Sequence, residues 1–470
     1  MKTAYSATLA LVAALGIGRA AAATRYDLEY VPDGERMHVR LCDDTAGDAR
    51  RFRVDYGAGR QLENLERSDG GEFERNPRGV LARNWKAGEC LTYDVALGRI
   101  ADRRERDVGA RAGSDLVVSP TQWLLAGDGD APAEVTLHLP AGYTFSTPWH
   151  RLPDADGARR YRIPRTPDDW SASIAVGRFA ERDVRAAGGV LHVATLGGMD
   201  SEQVEKMTRW METVARANVT AYGRLPLDEI QVMLIRSDAR RGAVGFGQST
   251  RGQGQALAIF VDPRRPFEEL RDDWTAVHEL AHAAHPSLGD AGSWLAEGLA
   301  SYWQNVLRAR AGLITPEEAW LKLDAGFGRG RTAPEADKAL HDVTADMHEH
   351  GNYMRVYWAG AAYWLAVDLE LRRTSGGALS VDAAMSKFRD CCLARMLPWT
   401  PQAFTAKLDE LVGTDVFGKR WREFDAQRGF PDVDASFRAL GIVKENGALR
   451  YDDSAPDAAV RRAIMRPRGG

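Results

Sequence analysis

The residues best suited to chemistry form one run, His278-Glu279-Leu280-Ala281-His282. On a helix, positions four apart share a face and stand about 6 Å apart along the axis, so two imidazoles converge on one ion. Glu279 projects from a neighbouring position. It can reach a water held by that ion and act as its general base. The same five residues also fit an exposed helix with two solvated histidines, so the flanking sequence has to decide. Downstream, Trp294-Leu295-Ala296-Glu297-Gly298-Leu299-Ala300-Ser301-Tyr302 opens a second helix. Glu297 sits there among Trp294, Leu295, Leu299, Tyr302 and Trp303. A carboxylate in apolar surroundings needs a partner, and a metal is a strong one. Two His and one Glu suit zinc by ligand type and leave its fourth position open, as catalysis requires. Ser301, four after Glu297, can orient a ligand from behind.

Other polar residues tempt less. His285 follows His278 by seven and points the same way, but lies about 10.5 Å further along a straight helix, too far for a third ligand. It reads as a cleft wall or a satisfied histidine, with Pro286 ending the helix. His341, His348 and His350 read as a solvated loop. Asp368 lies in an apolar run, where Arg372 can pair with it one turn later. The glycines at 242, 245, 247, 252 and 254 form neither a dinucleotide fingerprint nor a phosphate loop, and suit a hairpin.

His278-Glu279-x-x-His282 followed by Trp294-Leu295-x-Glu297-Gly298 resembles the gluzincin metallopeptidases. It is most similar to the glycyl-aminopeptidase family and next to the aminopeptidase-N-type family. Tyr357-Trp358-Ala359-Gly360, followed by the run Leu365 to Arg372, resembles their tyrosine helix. The resemblance covers roughly residues 190–375. It implies a thermolysin-like α+β domain in which His278, His282 and Glu297 bind zinc. It also implies that Glu279 is the acid/base and that Tyr357 steadies the oxyanion. Taken alone, Tyr357 also fits a core position, because its helix is apolar on most sides. Three features depart from the family. The interval from His282 to Glu297 is short, so its loop must be tight. Ala359 stands where a Lys usually precedes the Gly. The stretch Gly242-Ala243-Val244-Gly245-Phe246-Gly247-Gln248-Ser249-Thr250 lacks the acid that holds a free amine in exopeptidases.

The elements that must position these groups follow from periodicity. Residues 24–183 show short alternating runs such as Arg25-Tyr26-Asp27-Leu28-Glu29-Tyr30 and Val135-Thr136-Leu137-His138-Leu139, which suit a β-sandwich. Asp200 to Tyr222 reads as an amphipathic helix burying Val204, Met207, Trp210, Met211 and Val214. Strands follow at Ile230 to Ile235 and Ala256 to Val261, the latter a candidate edge for pairing with extended peptide. Helices are expected near 267–285, 293–310, 315–325, 352–373, 381–391, 401–411 and 416–427. Gly326-Phe327-Gly328-Arg329-Gly330-Arg331 looks too glycine-rich to continue a helix and reads as a surface loop. The expected architecture is a β-sandwich (24–183), a thermolysin-like catalytic domain (184–375) and a helical C-terminal region (376–470).

Composition narrows the function. The 470 residues are 44% hydrophobic, and 13 Trp, 13 Tyr and 14 Phe need burying, which excludes a disordered chain. The net charge of −4 offers no basic excess for nucleic acid. Lys2, the apolar run Leu9 to Gly18 and the small residues Ala20 to Ala23 form a secretory signal over residues 1–23. That run is short for a membrane anchor, and no later stretch could span, so the mature chain is expected in the periplasm or outside the cell. Cys42 and Cys90 could bridge in an oxidising compartment or remain buried thiols. Adjacent Cys391 and Cys392 bond each other only with strain. The expected function is an exported zinc peptidase acting on peptide or protein substrates. A zinc hydrolase of non-peptide bonds and a catalytically silent peptide-binding scaffold are the alternatives.

Overall fold

The computed structural model describes residues 24–467, apart from 106, 130, 169, 171, 239–241, 336 and 446–447. The expected signal segment lies outside the described residues.

The N-terminal part is a β-sandwich. Its large sheet has seven strands in the order His150–Ala155, Ala158–Ile163, Ala133–His138, Thr24–Val31, Arg36–Asp43, Glu89–Ala96 and Glu63–Arg67. Strict alternation puts Tyr26, Leu28 and Tyr30 inside and Arg25, Asp27 and Glu29 outside. Two four-stranded sheets complete it. One core is shared by Leu28, Val39, Tyr93 and Val135 of the large sheet, Phe52 and Trp85 of the second, and Val118 and Ile174 of the third. Cys42 and Cys90 are register partners on neighbouring strands and are disulfide-bonded. Cys391 and Cys392 are also joined to each other, where Cys392 leaves its helix with φ −134°.

A second, mixed sheet follows, in the order Ala180–Ala186, Gly189–Leu196, Glu229–Arg236, Ala256–Val261 and Val244–Thr250. The three middle strands are parallel and both outer strands antiparallel. Ala256–Val261 is therefore an inner strand, and the edge belongs to Val244–Thr250. The edge expected at Ala256–Val261 thus lies one strand further out. The chain folds back at the intervening turn, so the less apolar, glycine-bearing strand takes the rim. Helix Ser201–Val219, closed by an Asp200/Gln203 capping box, covers the sheet with the expected apolar face.

The remainder is mostly helical. The helix expected over 267–285 is broken into Phe267–Asp272, Thr275–Ala281 and a 3₁₀ turn, His282–Ala284. Asp273 leaves the helical region (ψ 141°), and its carboxylate accepts from the Thr275 amide at 2.7 Å, starting the second piece. Pro286 ends the third, because the residue before proline avoids the α region; His285 has φ −118° and ψ 159°. Helix Pro316–Arg331 runs straight through the segment expected to be a loop. Two of its glycines are packing slots: a Cβ on Gly326 would meet the Trp358 ring at 2.1 Å, and one on Gly330 would meet Phe430 at 2.2 Å. Helices Ser293–Arg310, Tyr353–Thr374, Val381–Cys391, Pro401–Val412 and Val416–Asp425 lie where periodicity put them. A short hairpin, Ile442–Glu445 with Ala448–Tyr451, interrupts the helical end. A large core runs from Val184 to Met465, and a smaller one joins Ala194, Leu196, Met233 and Ile235 of the mixed sheet to Val117 and Ala175 of the β-sandwich. Among the described residues, no helix is long and apolar enough to cross a membrane.

Candidate metal centre

Two helices build the centre by crossing at glycines. Ser293–Arg310 packs on Tyr353–Thr374 where Gly298 faces Gly360: a Cβ on Gly298 would lie 2.3 Å from the Gly360 carbonyl carbon, and one on Gly360 would lie 1.9 Å from the Trp294 carbonyl oxygen. Backbones this close bring Glu297, beside Gly298, under Tyr357, one turn before Gly360. The short interval from His282 to Glu297 is spanned by two 3₁₀ turns, His282–Ala284 and Asp290–Gly292.

The expected residues converge. His278 Nε2 lies 3.2 Å from Glu297 Oε2 and 3.2 Å from His282 Nε2, and His282 Nε2 lies 3.4 Å from Glu297 Oε2. His278, Glu279 and His282 are 4%, 8% and 7% exposed, so this is not a solvated histidine face. Glu279 rests against the edge strand: a Cβ on Gly247 would lie 2.7 Å from Glu279 Cγ. The Tyr357 ring stacks on His278 at 6.3 Å and 18°. Trp274, 45% exposed, meets the same imidazole in a T-shaped contact at 5.4 Å.

The far side of each imidazole is also held. His278 Nδ1 lies 2.9 Å from Gln304 Oε1, which can only accept, so Nδ1 carries the proton. His282 Nδ1 lies 3.0 Å from His285 Nε2. Ser301 is buried on the same helix, but the residue that reaches the imidazole is Gln304. Gln304 escaped the sequence reading, though its place seven after Glu297 puts it on the same face. Arg251, from the turn after the edge strand, donates to the carbonyls of His282 and His285.

Charge follows burial and proximity. Burial works to raise the Glu297 pKa, but the charges and hydrogen bonds of His282 and His278 outweigh it and hold the carboxyl well below its usual range. Burial works to lower that of His278, yet Glu297 reverses this and raises it. Burial raises Glu279, which keeps a proton more readily than a solvated glutamate. Burial and the two carboxylates raise Tyr357, so its phenol stays a donor. Burial lowers Arg251 to about 10.

The remaining candidates lie elsewhere. His341 bonds the Asp425 carbonyl at 2.8 Å, His348 the Tyr353 hydroxyl at 3.3 Å, and His350 lies 4.0 Å from Asp346. They belong to short helices, Leu340–Ala345 and Met347–His350, rather than the expected loop. Asp368 does pair with Arg372, at 3.0 Å, within a buried network that includes Tyr302 and Asp382.

A metal fits this donor set. Three lone-pair atoms within 3.4 Å of one another repel unless a cation or proton sits between them. Ligands at zinc's usual bond lengths of about 2.0–2.1 Å in a tetrahedron stand about 3.3 Å apart.

Comparison with known proteins agrees. The family model of the M61 glycyl aminopeptidases matches residues 276–359, which span the histidine helix, the glutamate helix and the start of the tyrosine helix. No curated protein matches the chain in sequence. Among solved structures, an aminopeptidase N family protein from Idiomarina loihiensis is similar with a TM-score of 0.66 at 14% identity, over 89% of this chain and 78% of that one. An M1 zinc metallopeptidase from Deinococcus radiodurans gives 0.51 at 15% identity, over 87% and 94%. Yeast LTA4 hydrolase in complex with bestatin gives 0.55 at 11% identity, over 89% and 70%. The resemblance read from the motifs is borne out, and the chain shares the multidomain fold of these proteins.

Proposed function

We propose that this chain is an exported zinc-dependent metallopeptidase that hydrolyses peptide bonds, with Glu279 as general acid and base. The observation that carries the reading is the donor triangle of His278, His282 and Glu297, with sides of 3.2, 3.2 and 3.4 Å. Those three residues would hold the ion. Bound zinc supplies a Lewis acid that acidifies a water to near neutral pH and polarises a carbonyl.

The chain's own residues do the rest. Glu279 Oε takes a proton from the attacking water and returns it to the leaving amine nitrogen. Its burial suits this, because a carboxylate kept from water is the stronger base. Tyr357 keeps its proton and donates to the oxygen that gains charge. The edge strand Val244–Thr250 offers backbone groups for an extended peptide beside Glu279. That strand carries no acid to fix a free amine.

The test couples metal analysis of the purified chain to digestion of a mixed peptide pool, read by mass spectrometry. One zinc per chain and cleavage abolished by chelation are expected. Full activity after exhaustive chelation, or turnover of non-peptide esters with the peptides untouched, would sink the reading. The export component rests on Lys2, the apolar run and the small residues before Thr24. Amino-terminal sequencing of the mature chain should begin close to that residue, and a retained Met1 removes this component.

A further inference from the structure

We propose that His285 is a positioning residue that fixes His282 in its metal-binding tautomer. The inference rests on the zinc reading above, because it concerns how one ligand is held.

His282 and His285 meet because the helix tightens. Residues three apart are neighbours on any helix, and the 3₁₀ turn His282–Ala284, with three residues per turn, brings them nearest to eclipsed. His285 is 2% exposed, so its ring nitrogens bond within the protein. Nδ1 lies 2.7 Å from the Pro286 carbonyl oxygen, and Nε2 lies 3.0 Å from His282 Nδ1.

Two proton arrangements are possible, and distance chooses between them. A carbonyl only accepts, so the 2.7 Å contact puts the proton on His285 Nδ1. His285 Nε2 then has a lone pair, and His282 must donate to it from Nδ1. His282 Nε2 is left with its lone pair aimed at Glu297 and His278. In the reverse arrangement Arg251 would donate to His285 Nδ1, and His282 would carry its proton on the metal-facing nitrogen. That contact is longer, 3.4 Å, and the same Nη2 already donates to two carbonyls. The chain therefore runs from His282 through His285 to the Pro286 carbonyl. Each step follows from the one before, and Arg251 clamps the turn that carries it. Groups that orient a ligating imidazole from behind are commonly worth about 10–100-fold in metal affinity.

Zinc affinity by chelator competition tests this, together with melting of the metal-free proteins. His285→Leu should weaken zinc by about 10–100-fold. His285→Gln, whose amide can donate to Pro286 and whose oxygen can accept from His282, should recover most of that loss. A merely structural histidine would instead give affinities that track metal-free stability in both variants. Equal affinity in wild type and His285→Leu overturns the proposal and leaves the zinc reading standing. A wild-type chain that takes up no zinc overturns both. Should the variants misfold, imidazole ¹⁵N resonances of the wild-type metal-free chain report the tautomers directly. Protonated Nδ1 on both residues is expected; a proton on His285 Nε2, or none on His282 Nδ1, refutes the relay.

Discussion

Glu279 and Glu297 have the same chemistry and opposite environments. Glu297 faces two imidazoles and is held ionised, whereas Glu279 meets a glycine backbone and has its pKa raised by burial. One suits a ligand, the other a base. Glu279→Gln should keep full zinc and lose about 100-fold or more in kcat, the usual worth of a general base. Unchanged turnover would take that role away. Tyr357→Phe should lower kcat with KM nearly constant, because its bond forms as charge develops; a pure KM effect would reassign it to substrate binding. His278 supplies the pH dependence. Its pKa is raised in the metal-free site, chiefly by Glu297 working against burial. Zinc must displace that proton. Apparent zinc affinity should therefore fall as pH drops through the raised value, by about tenfold per unit for one proton. Competition titrations carried from below to above the ordinary imidazole range read the slope; a flat profile contradicts the assignment.

Among the elements, the crossing of the glutamate and tyrosine helices matters most. Propensity alone says that Gly→Ala in a helix interior gains about 1 kcal/mol. At Gly360 the added carbon would sit 1.9 Å from the Trp294 carbonyl oxygen, and a packed backbone cannot yield cheaply. Overpacking of this kind costs about 1–3 kcal/mol. Gly360→Ala is thus expected to lower stability in denaturant titrations and to weaken zinc, since the helices part beside Glu297. A stabilised variant would show that the crossing is not tight. Gly326 and Gly330 follow the same physics. In the sequence they look like a break, because a helix propensity scale sees only the missing side chain. The Trp358 and Phe430 rings that fill the space lie far along the chain.

At the scale of the molecule, the two halves meet at the turn behind the edge strand. Trp149 Nε1 donates to Gln253 Oε1 at 2.8 Å, the Gln253 amide donates to Thr166, and a Cβ on Gly254 would lie 2.0 Å from the Pro148 carbonyl oxygen. The same turn carries Arg251, so the β-sandwich buttresses the loop that clamps the histidines. The Cys42–Cys90 bridge closes a loop with a sequence separation of 48 within that buttress. Loop-closure entropy puts its contribution at up to about 4 kcal/mol. Replacing both cysteines by serine should lower the unfolding midpoint of the β-sandwich by a corresponding amount. An unchanged midpoint would leave the bridge without a stabilising role.

The sequence by itself marked the candidate donor set, because a motif of residues four apart needs nothing but helix geometry to bring two imidazoles together. It determined most helix positions, because apolar periodicity is local, and it marked Glu297 through the apolar residues around it. Tertiary structure alone decided which strand forms the sheet edge, since strand order depends on which way the chain folds back. It alone decided that Gln304 and His285, rather than Ser301, hold the imidazoles, and that glycines continue a helix instead of ending it. Those outcomes turn on contacts of an ångström or so between distant segments, and no spacing within a single element encodes them.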